Sequence, residues 1–342
     1  MCQIPDFPDR HHLEYIRDRL WCGREYGQAA VMVGAGFSCN ADPISSGSPE
    51  MPRWGQLIGQ MYDRLNPANK DSTRRAQAIS NALGVAQEFE VAFTRQVLED
   101  FLRQTIPDSQ YQPGQLHQLL MSLPWSDVFT TNYDTLLERT QPLVFEHRYD
   151  TIYSSQDIPG KMKPRITKLH GSFPSYRPFT ITQEDYRVYP VRCAPFVNMV
   201  QQSIMENTFC LIGFSGEDPN FLNWIGWVRD NLADAMHPIY LCGILDRLTQ
   251  TKRQVLSSQN IITVDISPVF PRTEWSQSST RHQKGLEWLL LSLHNGRPVS
   301  NLNWPLVDPP TPTPRPSPGL PPLIPGTYVP PPDCPDFPSS SF

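Results

Sequence analysis

Two short segments carry the side chains best suited to chemistry. Thr131-Asn132-Tyr133-Asp134 supplies an amide and a carboxylate, and Lys168-Leu169-His170-Gly171 supplies an imidazole. Each follows a short apolar run that reads as a strand, at residues 128–130 and 166–169. Open α/β sheets take their ligands just beyond strand ends. An imidazole with a pKa of about 6.5 can accept or relay a proton at cellular pH. An amide can donate to, and accept from, a sugar hydroxyl or a water. Together Asn132 and His170 could orient a ribose and move a proton. Asp134 could join them or simply cap the helix that follows.

Two further turns extend the set. Gly34-Ala35-Gly36-Phe37-Ser38 follows the apolar run Ala29–Val33. Glycines there let a backbone approach a pyrophosphate, and amides at the next helix start can donate to it. The third glycine of a dinucleotide fingerprint is missing, which disfavours an ordinary dehydrogenase. Gly213-Phe214-Ser215-Gly216-Glu217-Asp218 follows the run 209–212. Ser215 could donate to a phosphate or ribose, and Ser215 or Asp218 could cap a helix beginning at Pro219.

The elements that position these turns alternate. Strand-like runs at 29–33, 128–130, 143–145, 166–169, 209–212, 239–242 and 261–264 are separated by helical patterns. Those patterns cover 13–24, 116–123, 135–139, 194–206, 219–232, 247–257 and 284–294. Short apolar strands between helices imply an α/β, Rossmann-like, doubly wound and mainly parallel sheet. Helical spacing at 54–65, and one or two helices within 74–103, interrupt the alternation as a helical insertion spanning about 54–125. Residues 1–300 read as the catalytic body and 301–342 as an extended proline-rich tail.

Composition narrows the setting. The 342 residues include 36 prolines, 15 of them from Pro305 onward, where polyproline-II and coil are expected. A formal net charge of −5 disfavours nucleic-acid binding by bulk charge. The seven cysteines are odd in number and form no C-x-x-C pair, so neither a disulfide framework nor a four-cysteine zinc site is indicated. No apolar run is long enough to span a membrane and no signal peptide is evident, so the cytoplasm is the expected compartment.

The four turns, in this order, resemble the sirtuin superfamily from about Ala29 to about Val264. Sirtuins share a Gly-Ala-Gly-x-Ser loop, a Thr-x-Asn-x-Asp turn, a His-Gly pair and a Gly-x-Ser turn. Three departures redirect the expectation. The two C-x-x-C pairs of a deacylase zinc ribbon are absent, so no zinc is expected. The Gly-Ile-Pro-Asp-Phe-Arg segment is replaced by Ala41-Asp42-Pro43-Ile44, and the fourth turn reads Gly213-Phe214-Ser215-Gly216-Glu217-Asp218. These features resemble the sirtuin-like NADase domains of prokaryotic antiphage systems.

That resemblance implies NAD+ glycohydrolysis, with Asn132 and His170 catalytic and no cofactor beyond NAD+ as substrate. It places the pyrophosphate on Gly34, Ala35, Gly36, Phe37 and Ser38. Asp134, Gly213, Ser215 and Asp218 complete the NAD-binding set. It also implies a homo-oligomer gated by a partner such as a HerA-type ATPase or a short Argonaute. The alternatives are a zinc-free deacylase or ADP-ribosyltransferase, and a non-catalytic NAD or ADP-ribose sensor.

Overall fold

Strands buried on both faces read as continuous apolar runs, and such strands pair in parallel beneath two helical layers. In a computed structural model describing residues 6–68 and 71–295, seven strands, several of them of this kind, form one all-parallel sheet. The first half runs α1 (Arg10–Leu20), β1 (Ala29–Val33), α2 (Ala35–Ser38), β2 (Asp42–Pro43), α3 (Trp54–Leu65), α4 (Ser72–Ser80), α5 (Ala82–Phe93) and α6 (Arg95–Thr105). Then follow β3 (Tyr111–Gln112), α7 (Gln115–Met121), β4 (Asp127–Thr130), α8 (Leu136–Thr140), β5 (Asp150–Ile152) and β6 (Arg165–Lys168). The second half runs α9 (Gln183–Arg192), α10 (Ala194–Glu206), β7 (Thr208–Ile212), α11 (Pro219–Leu232), β8 (Ile239–Gly243), α12 (Gln250–Ser258), β9 (Ile261–Asp265) and α13 (Ser278–His294).

The sheet order is β5-β6-β4-β1-β7-β8-β9. Strand side chains alternate, so β1 sends Val31 and Val33 to one face and Ala30 and Met32 to the other. The first face packs against Leu13, Leu120 and Leu289 of α1, α7 and α13. The second packs against Val200, Trp224 and Leu256 of α10, α11 and α12. The doubly wound, Rossmann-like architecture expected from alternation is therefore the observed one.

The helices after β2 form their own small core. Leu57, Phe89 and Leu98 of α3, α5 and α6 meet Tyr133, Phe173 and Phe179 from the sheet's loops. Three helices, α4 to α6, occupy the stretch where one or two were expected, because the chain breaks at Asn81 and again at Thr94, which has φ of 82°. α7 packs instead in the sheet's first helical layer, through Leu116, Leu120 and Met121.

One expected strand is absent. Residues 143–145 are not a strand: Leu143 ends a 3-10 turn over Gln141–Leu143, and Phe145 is 92% exposed. Pro142 cannot donate to a ladder, and the edge strand instead forms seven residues later at β5, whose polar sequence hides it. Helix α9 has no apolar periodicity in the sequence, because its run carries Pro190 and only Tyr189 is buried. The proline-rich tail at 301–342 lies outside the described residues.

The centre of the sheet depends on three glycines. Gly213 has φ of 64°, and a Cβ there would lie 2.5 Å from the amide nitrogen of Phe37. Gly213→Ala is expected to destabilise the fold by about 1–3 kcal/mol. Gly226 within α11 has open space around it, so Gly226→Ala should be neutral or stabilising by up to about 1 kcal/mol. Denaturant unfolding of the two variants checks the contrast.

Candidate functional site

Strand register brings the two chemistry-bearing segments together. Thr130 of β4 pairs with Lys168 of β6, so Asn132 and His170 each stand two residues past the paired ends of adjacent strands. The ladder continues one step further, Leu169 N–H donating to the Thr130 carbonyl at 2.9 Å. Neighbouring strands lie about 5 Å apart, so the two residues start side by side. Across the sheet the order β6-β4-β1-β7 then sets His170, Asn132, the Gly34–Ser38 turn and the Gly213–Asp218 turn along one edge.

A chain of hydrogen bonds fixes the Asn132 turn. Thr130 Oγ1 donates to the Val33 carbonyl at 2.9 Å and accepts from Asn132 N–H at 3.0 Å. Asn132 Nδ2 donates to Ser38 Oγ at 2.9 Å, and Ser38 Oγ donates to Asp134 Oδ2 at 2.8 Å. Asp134 Oδ1 accepts from Leu136 N–H at 3.3 Å, which braces the start of α8. Among the described residues no hydrogen bond engages Asn132 Oδ1, and Asn132 is half-buried. Asp134 is buried and spends its carboxylate inside the protein.

Beneath this turn lies a buried lysine. Lys168, 1% exposed, donates from Nζ to the Asp134 carbonyl and pairs with Glu138 Oε1 at 3.1 Å. Burial pushes the Asp134 and Glu138 carboxyls above their usual range, while the Lys168 ammonium pulls both back. The sequence held a signal for this pair. Lys168 lies two residues past Ile166 on the same strand face, and a lysine on a core face needs a carboxylate. Glu138, one helical turn after Asp134, supplies it.

His170 is 3% exposed, and its Nε2 is sealed from solvent without a hydrogen-bond partner. Burial lowers its pKa below 6.5, against the opposing pull of Asp218 and Asp185. Gly171 follows with φ of 91°, and a Cβ there would meet the Pro178 and Tyr176 carbonyls at 2.6 and 2.7 Å. The space beside Gly171 is therefore taken by the returning 176–180 segment rather than left for a ligand.

The glycine turns interlock in the same way. A Cβ on Gly34 or Gly36 would meet the Gly213 carbonyl at 2.6 or 2.9 Å. Gly34 N–H donates to the Ile212 carbonyl, Gly36 N–H to the Gly213 carbonyl and Phe37 N–H to the Gly34 carbonyl. Those three amides are engaged within the protein, and the Phe37 ring is buried edge-on to His117 at 5.0 Å. Ala35 opens the single turn of α2. Ser215 Oγ accepts from Glu217 N–H at 3.2 Å. Asp218 caps α11, its Oδ1 accepting from the Asn220 and Phe221 amides at 2.9 and 3.1 Å.

Cavities of about 620 and 440 Å³ lie elsewhere, one beside Phe145, Arg148 and Tyr153 and one beside Gln56, Arg64 and Phe101. Among the described residues no group of three or more His, Cys, Asp or Glu is placed to hold a metal ion. No helix among them is long and apolar enough to cross a membrane.

Removing one member of the buried pair leaves the other charge uncompensated. Lys168→Met is expected to cost about 3–5 kcal/mol, and the double variant Lys168→Met/Glu138→Leu to recover most of it. Urea unfolding measures both; equal losses in the single and double variants would show that packing, not the pair, sets the cost.

Known proteins resemble this chain over part of its length. NAD(+) hydrolase ThsA of Acinetobacter baumannii (strain 532279) is 27% identical over 213 residues, covering 61% of this chain and 41% of that protein. NAD(+) hydrolase ThsA of Enterococcus faecium is 25% identical over 223 residues, covering 63% and 43%. The chain thus spans about two fifths of the length of these curated relatives. A crystal structure of a Sir2 homolog–NAD complex superposes with a TM-score of 0.46 at 12% identity, covering 86% of this chain and 96% of that one. The family model of the SIR2-like domain matches residues 126–264, which include the Asn132, His170 and Gly213–Asp218 turns.

Proposed function

We propose that this protein hydrolyses NAD+ at the nicotinamide–ribose bond, releasing nicotinamide and ADP-ribose. The observation that carries the reading is the equal register of Asn132 and His170 at the ends of β4 and β6. The SIR2-like match over 126–264 and the likeness to proteins named NAD(+) hydrolase ThsA support it.

Cleavage of this bond develops positive charge on the ribose as nicotinamide leaves, so the protein has to orient the sugar and deliver a water. Asn132, with Nδ2 fixed on Ser38, is oriented to offer its carbonyl oxygen to a ribose hydroxyl or to that water. His170 takes the proton. Its lowered pKa keeps the imidazole neutral, and therefore competent as a base, at cellular pH. Asp134, Ser38 and the Gly34, Ala35, Gly36 and Phe37 turn support NAD+ binding chiefly by holding this geometry, with Gly213 and Ser215 on the neighbouring turn.

The burial of His170 supports gating. A sealed imidazole has to be uncovered before a dinucleotide reaches it, which suits an enzyme that would otherwise exhaust its host's NAD+. In the antiphage setting implied by the sequence resemblance, a partner such as a HerA-type ATPase or a short Argonaute, with self-assembly, provides that trigger.

Incubation with NAD+, alone and with a HerA-type ATPase or a short Argonaute, should yield nicotinamide and ADP-ribose in equal amounts. His170→Ala should lower the rate by about 10²–10⁴. Full activity in that variant would overturn the assignment, and nicotinamide released only with an acyl-lysine peptide would favour deacylation. Protonation of His170 silences a base, and its pKa lies below 6.5, so activity should hold across neutral pH and fall only below 6.5.

A further inference from the structure

Helix α9 presents two tyrosines to His170. Thr182 Oγ1 accepts from Asp185 N–H at 3.1 Å, and Asp185 Oδ2 accepts from Thr182 N–H at 3.0 Å, which fixes where α9 begins. Tyr186 and Tyr189, three residues apart, then share one face. Their rings meet the His170 ring edge-on, with centroids 5.4 and 5.5 Å away and interplanar angles of 71° and 73°. Each hydroxyl is anchored in turn. Tyr189 donates to the Leu169 carbonyl at 2.7 Å, within the strand end that carries His170. Tyr186 donates to Asp218 Oδ2 at 2.7 Å, on a different element.

Asp218 therefore does two things with one carboxylate. Oδ1 caps α11 and Oδ2 holds Tyr186, so both oxygens are committed inside the protein. The charged groups that bear on His170 are Asp218 at the start of α11 and Asp185 on α9. Asp185 is itself neutralised by Arg95 of α6 at 2.9 Å. Asp218 has no arginine or lysine within ion-pair distance among the described residues, so it is the less compensated of the two anions.

We propose that Tyr186 and Asp218 are positioning residues for His170. The anchored phenol holds the plane of the imidazole, and the carboxylate behind it stabilises the proton that His170 takes from the attacking water. This extends the NAD+ hydrolysis reading and rests on it. It also moves Asp218 from the NAD-binding set expected from sequence to a supporting role behind the base.

Asp218→Asn isolates the charge, because asparagine caps a helix as well as aspartate does. The His170 imidazole signal, identified by its loss in His170→Gln, is followed by proton NMR across pH. In Asp218→Asn its midpoint should fall by roughly one unit. Should Asp218→Asn not fold, Asp218→Ser keeps a capping oxygen and takes its place. Tyr186→Phe should lower kcat for NAD+ about ten-fold with KM little changed, a smaller loss than that of the base itself. An unmoved midpoint in the Asp218 variant, or an unchanged or increased kcat in Tyr186→Phe, overturns the proposal. The NMR arm needs no turnover, so a shifted midpoint in a protein that leaves NAD+ intact would sink the hydrolase reading and keep the support of His170.

Discussion

The ammonium of Lys168, buried under the Asn132 turn, is the contact on which the rest of the site depends. It sits at the last paired residue of β6, and it reaches across to the Asp134 carbonyl and to Glu138 on α8. One side chain thus ties the strand that ends in His170 to the turn that carries Asn132. Backbone pairing alone sets the register of β4 and β6 but leaves the residues beyond the ladder free to splay. An ionic group in that position costs several kcal/mol to desolvate and is retained only where its bonds are well formed. Its return is geometric: Asn132 and His170 are held at one height above the sheet.

A second constraint comes from the middle of the sheet. β1 is flanked by β4 and β7, and the chain winds outward from it in both directions. The turns after β1 and β7 have to pass within backbone contact, and Gly34, Gly36 and Gly213 are there because any side chain would collide with that opposing backbone. Glycines read from sequence as a phosphate cradle therefore serve first to lock two turns together. The same locking places Ser38 where it can bridge Asn132 and Asp134.

Much of this was legible in the residues, and the exceptions have physical causes. Five-residue apolar strands such as β1 and β7 announce themselves because both faces are buried. β5 does not, because an edge strand of Asp150-Thr151-Ile152 buries only Ile152. The exposed Phe145 nearby mimicked a strand by composition alone. In the site, Asn132, His170, Ser38, Asp134 and Asp218 stand out in the sequence by type and position, whereas Tyr186 does not. Tyr186 lies on a polar helix interrupted by Pro190, and its link to Asp218 spans 32 residues of sequence. Pairings that distant leave no periodicity to read.

The two aspartates show how position divides similar residues. Asp134 and Asp218 each follow a strand and each precede a helix, which made both look available to a ligand. Each instead caps or braces its helix with one oxygen and accepts a hydroxyl proton with the other, from Ser38 and from Tyr186. The hydroxyl bearers then contact Asn132 and His170 respectively. The site is thus built twice on one plan, in which a carboxylate fixed by backbone amides holds a hydroxyl residue, and that residue holds the group that would meet substrate. Under the proposed hydrolysis, such a plan would keep formal negative charge one residue removed from the sugar. A transition state that gathers positive charge on a ribose gains from anions at that remove, because they favour the charge without competing with water for the reactive carbon.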